Sequence, residues 1–405
     1  MKVSNRAKGS VICQQIREQI EQGNFIRKAF EEGIALKKQY GEDKVFDLSL
    51  GNPILQAPKE FYEELRRLAN NPLPGMHRYM VNAGYPETRA EIAQYLAEET
   101  GLPFTANEIV MSVGAGGGLC LTLRALLNQG DEVILFAPYF PEFLLYIANQ
   151  SGVAKVVPTD SNFNPDLKAL EKTISGRTKV VIVNSPNNPA GVVYSEDILH
   201  KIGQILQSKE SHFGTQVFVV SDEPYRKLIY DGKKCPYLFG FHPRTIMVTS
   251  HSKDLSLAGE RIGYVAVNPE CNKNGELGAA IAFCNRALGY VNAPALMQRI
   301  VAKLQRTSVN IQEYQRKRDF LYKQLIGMGY SVVKPGGAFY MFPKAPGGDG
   351  LEFTGELRKN RVLTVPGVAF GTPGYFRIAF CVEDRVIEGS LAGFREAARK
   401  YGLTE

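Results

Sequence analysis

The chain has no tryptophan, and nothing in its 405 residues approaches the apolar run of roughly 20 residues that a membrane-spanning helix needs. The missing tryptophan decides nothing; the missing run argues against a membrane partner. The N-terminal stretch MKVSNRAKGSVICQQIREQI has charges but no apolar core of signal-peptide length. Six cysteines (Cys13, Cys120, Cys235, Cys271, Cys284, Cys381) form no Cys-x-x-Cys pair, and none has a histidine at metal spacing. With the five histidines equally dispersed, no metal site is expected. The thiols read as reduced and mostly buried, in a cytoplasmic protein. The formal charge of +7 is scattered, without a basic block, so nucleic acid is not expected as a partner. Internal repeats and low-complexity segments are missing too.

What is present is ordinary for a globular chain: 44% hydrophobic and 22% charged residues, long enough for about two domains. Residues 11–40 look helical, with Ile12, Ile16, Ile20, Ile26, Phe30 and Ile34 recurring among charges. VFDLSLGNP, from Val45, reads as a short strand ending in a turn. From about residue 108 a strand (Ile109–Val113) leads to a glycine turn (Gly114–Gly118) and a helix (Leu119–Leu127). Apolar β-branched runs follow at Glu132–Phe136, Lys155–Val157, Lys179–Val183, Val217–Ser221, Thr245–Thr249 and Ile262–Val267, with helical stretches such as Pro165–Ile174 and Ser195–Gln207 between them. That alternation predicts an α/β fold with a largely parallel sheet covered on both faces, its ligands bound beyond the strands' carboxyl ends. One long helix over Ala295–Leu325 is expected to lead into a second domain that ends in a helix over Val386–Tyr401.

The segment SHSKDLSLAGERIGY, Ser250 to Tyr264, carries the most chemical information. Its lone Lys253 stands between hydroxyl residues, with Arg261 following in a Gly-x-Arg-Ile-Gly turn. A lysine that does covalent chemistry must be positioned and partly desolvated. Ser250, Ser252 and Arg261 would supply hydroxyls and a guanidinium fork for a phosphate. A lysine that forms a Schiff base beside a phosphate clamp is what pyridoxal phosphate requires. An isolated Ser-x-Ser-Lys would read better as a solvated loop; the motifs elsewhere reverse that preference. Asp222, in VFVVSDEPY, sits just past an apolar strand, where a carboxylate could face a ring nitrogen or merely cap a helix. Asn188, in NSPNNPAG, ends another strand in a common turn. SVGAGGG at residues 112–118 lets the amides of Ala115 and Gly116 approach an anion; Leu119 in the sixth position excludes the dinucleotide fingerprint. Arg377, in YFRIAF, is flanked by apolar residues and needs an anionic partner if buried.

With these motifs in one order and spacing, the chain resembles the class I/II pyridoxal-phosphate-dependent aminotransferases of fold type I over nearly its whole length. The resemblance implies a large domain built on a seven-stranded, mostly parallel sheet, plus a smaller α+β domain. Residues 1–52 would form an N-terminal arm and part of the small domain, 53–299 the large domain, and 300–405 the interdomain helix and small C-terminal domain. It further implies that Lys253 carries the cofactor and moves the substrate's α-proton. Asp222 would face the ring nitrogen, and Tyr225 and Asn188 the phenolate oxygen. Phe140 would stack on the ring, with adjacent Tyr139 as a competing assignment. The phosphate would fall to Ala115, Gly116, Ser250, Ser252 and Arg261, with Tyr79 reaching the neighbouring subunit's phosphate in a homodimer with shared active sites. Arg377, Gly51 and Asn188 would hold the substrate α-carboxylate. The implied reaction is ping-pong transfer of an amino group between an L-amino acid and a 2-oxo acid, 2-oxoglutarate being the expected acceptor. Arg286 stays open as a second arginine for dicarboxylates, and Phe339, Tyr340 and Tyr290 as pocket walls or core. A C–S β-lyase of the same fold would use the same residues. A pyridoxal-phosphate-sensing transcription regulator would need a DNA-binding domain, for which the residues before Val45 are too few.

Overall fold

The computed structural model describes residues 11–22 and 25–403. Two helices come first, α1 (Gln14–Gln22) and α2 (Phe25–Tyr40), then the two-residue strand β1 (Phe46–Asp47), so most of VFDLSLGNP is extended loop. Helices α3 (Lys59–Asn70) and α4 (Pro86–Thr100) follow; α4 starts on a proline and stops at Gly101, whose φ of 73° suits a left-handed cap.

Alternation then sets in: β2 (Ile109–Ser112), α5 (Gly114–Leu126), β3 (Glu132–Phe136), α6 (Glu142–Asn149), β4 (Val153–Val157), α7 (Leu167–Thr173), β5 (Thr178–Asn184), α8 (Glu196–Phe213) and β6 (Phe218–Asp222). A run from β7 (Thr245–Ser250) through the single turn α9 (His251–Asp254) to β8 (Gly263–Val267) closes the sheet. Its order is β2-β8-β7-β6-β5-β3-β4, parallel except for β8, which runs against both neighbours. The expected seven-stranded, mostly parallel sheet is therefore present. Strands β3, β6 and β8 are buried along their whole length, as a sheet covered on both faces demands.

Two expectations give way. The glycines of SVGAGGG do not precede a helix; they form its first turn, since α5 begins at Gly114. Close packing explains this. A Cβ at Gly118 would lie 2.7 Å from Val248 Cγ1 on β7, so glycine there lets α5 settle onto the strands, and one at Gly117 would lie 2.5 Å from Val113 Cγ2, just ahead of the helix. The single helix over 295–325 is two, α11 (Ala295–Ala302) and α12 (Ile311–Gly327), after α10 (Glu276–Ala287). The interruption runs over residues 303–310, a turn at 303–306 followed by Thr307-Ser308-Val309-Asn310, poor helix formers. There the Val309 N–H donates to the Asp254 carbonyl, and Lys227 Nζ donates to the carbonyls of Gln305 and Thr307.

The C-terminal part holds β9 (Tyr340–Met341), α13 (Gly350–Lys359), β10 (Val362–Leu363), β11 (Val365–Pro366), β12 (Phe376–Ala379) and α14 (Asp384–Lys400). Strands β11-β12-β9 form an antiparallel sheet, and β10 pairs in parallel with β1, tying the N-terminal segment to this part. One hydrophobic cluster runs from Leu48 through Tyr225 and Tyr314 to Phe376 and Phe394. All six cysteines are free, but the expectation of mostly buried thiols holds fully only for Cys284 and Cys381; Cys13 is exposed and the other three are half-buried.

Candidate active site

Parallel pairing aligns strand ends. Asn184 closes β5 opposite Asp222 at the end of β6, and β7 beside it ends at Ser250. One cavity of about 310 Å³ opens above these ends. The residues expected to hold the cofactor or the α-carboxylate within one chain line it: Gly51, Ala115, Gly116, Phe140, Asn188, Asp222, Tyr225, Ser250, Ser252, Lys253, Arg261 and Arg377. Tyr79 does not; it is 90% exposed. Phe140 rather than Tyr139 faces the cavity, Tyr139 being turned toward Gly371. Arg286 is exposed and outside it, as is Tyr290. Of the remaining aromatic candidates Tyr340 is a wall, while Phe339 is fully buried.

Lys253 Nζ donates to the Gly51 carbonyl at 2.8 Å and stands 5.4 Å from the centre of the Phe339 ring. Burial, with Arg377 and Arg261 nearby, pushes its pKa down to about 8, so the neutral amine is within reach near neutral pH. Its flanks are anchored: Asp254 meets His251 Nδ1 at 3.3 Å and Lys227 Nζ at 3.1 Å. Asp222 is buried, and burial plus the neighbouring Glu223 carboxylate raises its pKa to about 8. Asn184 Nδ2 donates to Asp222 Oδ2 at 3.0 Å, whereas Asp222 Oδ1 is buried with no hydrogen-bond partner among the described residues.

Tyr225 and Tyr340 share a hydrogen bond of 2.9 Å between their hydroxyls. Burial holds the Tyr225 phenol well above its ordinary range. Arg377 donates to Asn188 Oδ1 at 3.0 Å and to the Ser49 carbonyl at 2.6 Å, its charge over the Tyr340 ring at 4.7 Å; its Nε is buried with no partner among the described residues. Gly51 has no room for a side chain, because a Cβ there would lie 1.8 Å from Tyr340 Oη. At the far end, the first turn of α5 meets Arg261, held in left-handed backbone at φ 52°. Arg261 donates to the Ala258 carbonyl at 3.0 Å and the Val113 carbonyl at 3.4 Å, beside Gly114. Amides at a helix start, next to a guanidinium, suit an anion.

Sequence reading missed three polar residues of this site. Asn184 bridges Asp222 and the Asn188 backbone N–H, which donates to its Oδ1 at 2.7 Å. Glu142 and Tyr146, on α6, line the cavity. The one available signal was Asn184's position as the polar end of an apolar strand, in the same segment as Asn188.

Residues 43–391 match the model of the family described as aminotransferase class I and II. A protein of Methanocaldococcus jannaschii named a probable aspartate aminotransferase is 33% identical over 363 residues, covering 86% of this chain and 92% of its own length. The crystal structure of an amino transferase from Eubacterium rectale superposes with a TM-score of 0.94 at 38% identity, over 97% of this chain and all of that one. An aspartate aminotransferase from Thermus thermophilus, solved with maleate, gives 0.83 at 25% identity, over 96% of this chain and all of its own.

Proposed function

We propose a substrate pair and a division of labour for this chain, which belongs to the class I and II aminotransferase family and is a pyridoxal-phosphate-dependent aminotransferase. The reading is ping-pong transfer of an amino group from an L-amino acid to a 2-oxo acid, with 2-oxoglutarate as acceptor. The observation that carries the residue assignments is the unpartnered Asp222 Oδ1 at the floor of a cavity whose wall carries Lys253.

Several features fit the cofactor. A buried carboxyl with an open oxygen suits a protonated ring nitrogen, whose positive charge would return Asp222 to its ionised form. The glycine turn of α5 with Ser250, Ser252 and Arg261 suits the phosphate. Tyr225 and Asn188 would hold the ring oxygen and Phe140 the ring face. When bound, the cofactor supplies a ring that spreads the negative charge left when the substrate's α-proton departs.

The protein's own residues do the rest. Lys253 Nζ, with its lowered proton affinity, would take the α-proton as general base and give it up, as general acid, at the cofactor rather than back at the α-carbon. Arg377 grips the substrate α-carboxylate with Asn188 and the Gly51 backbone beside it. Gly51, Tyr340 and Arg377 belong to segments packed with the C-terminal part, which supports the division into residues 1–52, 53–299 and 300–405 as arm, large domain and small domain. Closing the two over substrate would keep water from the proton in transit.

The assembly we propose is a homodimer with shared sites. Tyr79 and Val81 are exposed, and their segment is tied to residues 291–292: Asn82 donates to the Val291 carbonyl and Asn292 to that of Val81. Val291 and Tyr290 are exposed as well, and together they present an apolar surface suited to a second copy, onto whose phosphate site Tyr79 would reach. Free thiols support a cytoplasmic setting. The deciding experiment adds single amino acids, without any oxo acid, to the cofactor-loaded protein. Loss of the visible cofactor band with one oxo acid released per site supports the reading. Continuous pyruvate release with the band kept would mean β-elimination instead.

A further inference from the structure

Glu142 is an ionisable wall of the cavity for which the scheme above has no use. It opens α6, and its carboxyl leans on its own backbone N–H, while Oε2 is buried without a hydrogen-bond partner among the described residues. It shares the cavity with Arg377 and Tyr340, and its charge is felt at Arg377, Tyr340 and Tyr146. A carboxyl with a free oxygen lines the same cavity as the groups assigned to the substrate's carboxylate end.

We propose that Glu142 is a specificity-determining residue that sorts substrates by the charge of their side chains, favouring neutral or hydrogen-donating ones over those with a second carboxylate. The physical reason is like-charge opposition at a site partly shielded from water. A monocarboxylic substrate brings one negative charge, which Arg377 answers. A dicarboxylic one brings a second, and Glu142 confronts it. Burial raises the carboxyl's pKa, while its own backbone N–H and the charge of Arg377 draw it back, so the ionised form that opposes a second carboxylate is the form Arg377 favours. An ammonium, amide or hydroxyl on the side chain would find in Oε2 an acceptor that now has no partner. 2-Oxoglutarate carries the same distal carboxylate, so the inference ranks it as an acceptor taken against this charge, slower than a neutral oxo acid.

The inference rests on Arg377 as the α-carboxylate clamp, and the test separates the two. Butyrate and succinate, unreactive acids of equal carbon number, are titrated into the loaded wild type, Glu142→Gln and Arg377→Ala. In Glu142→Gln the affinity for succinate relative to butyrate is expected to rise about tenfold or more. The ratio of kcat/KM for L-aspartate over L-2-aminobutyrate should rise in step. Equal tightening of both acids would mean that Glu142 acts on the clamp alone, and no change in either would make it only an acidic residue at a helix start; both outcomes overturn the proposal. Glu142→Ser, smaller and uncharged, should give the same ratio if the glutamine variant does not fold. Unweakened butyrate binding in Arg377→Ala would instead remove the clamp assignment.

Discussion

The two walls of the cavity are built on opposite principles. The wall at the ends of β6 and β7 keeps groups away from their ordinary charge: Asp222 raised, Lys253 lowered, and Asp222 Oδ1 unpartnered. The wall from the C-terminal part is largely paired already. Arg377 is held by Asn188 and the Ser49 carbonyl with its Nε left open, Tyr340 by Tyr225, and the Gly51 carbonyl by Lys253. A buried carboxyl left half-satisfied is tolerable when a resident group completes it. A clamp that must grip and release a substrate every turnover works better with partners it can exchange. The difference separates a cofactor wall from a substrate wall.

Removing Lys253 should do the most damage, because it belongs to the first wall and touches the second. Lys253→Ala is expected to slow the half-reaction by about 10⁴-fold or more and to abolish the visible cofactor band. Turnover and band both surviving would refute its assignment. Next comes Arg377→Ala, confined to the substrate wall. Loss of a buried carboxylate contact should weaken amino-acid binding by about 2–4 kcal/mol while leaving cofactor content unchanged. Substrate titrations and cofactor absorbance, read together, check the split; equal loss of both would erase the distinction between walls.

Those residues were legible in the sequence because their chemistry admits few substitutes. Only a lysine forms the required covalent link, and an arginine inside YFRIAF demands an anion. The parallel sheet was legible too, since doubly covered strands leave unbroken apolar runs such as VFVVS. Asn184, Glu142 and Tyr146 were not, because an asparagine at a strand end or a glutamate at a helix start is fully explained by turns and helix dipoles. Nor does any local pattern reveal that the Val309 N–H would find the Asp254 carbonyl, the bond that helps divide the long helix in two.

Gly51→Ala sharpens the comparison at smaller amplitude. The added methyl cannot fit against Tyr340 Oη, so the loop must retreat from Arg377 and Lys253. KM for amino acids should rise about tenfold, with cofactor affinity unchanged, an effect on the order of 1–2 kcal/mol as for other overpacked contacts. Steady-state kinetics beside a cofactor titration reads both. A change in cofactor affinity alone would place Gly51 on the wrong wall.

The smallest effect concerns the cofactor-free protein and its pH dependence. An unfolded Asp222 loses its proton near 3.8, whereas the folded one keeps it to about 8. Between those values the folded state binds more protons than the unfolded, so this residue makes stability fall as pH rises from about 4 to 8. Lys253 acts in the opposite sense at higher pH: from about 8 to 10.5 the unfolded state binds the extra proton, and stability recovers. Asp222→Asn keeps an acceptor for Asn184 Nδ2 and removes the titration. The cofactor-free variant should therefore match wild type near pH 4 and exceed it near pH 8 by about 1–3 kcal/mol, the scale of one unsatisfied buried group. Thermal unfolding of both proteins across this range, without cofactor, measures the gap. With cofactor the order should reverse, because the variant has lost its partner for the ring nitrogen. Parallel curves at every pH would mean that Asp222 is not held away from its ordinary charge, and the contrast between the walls would lose its electrostatic basis.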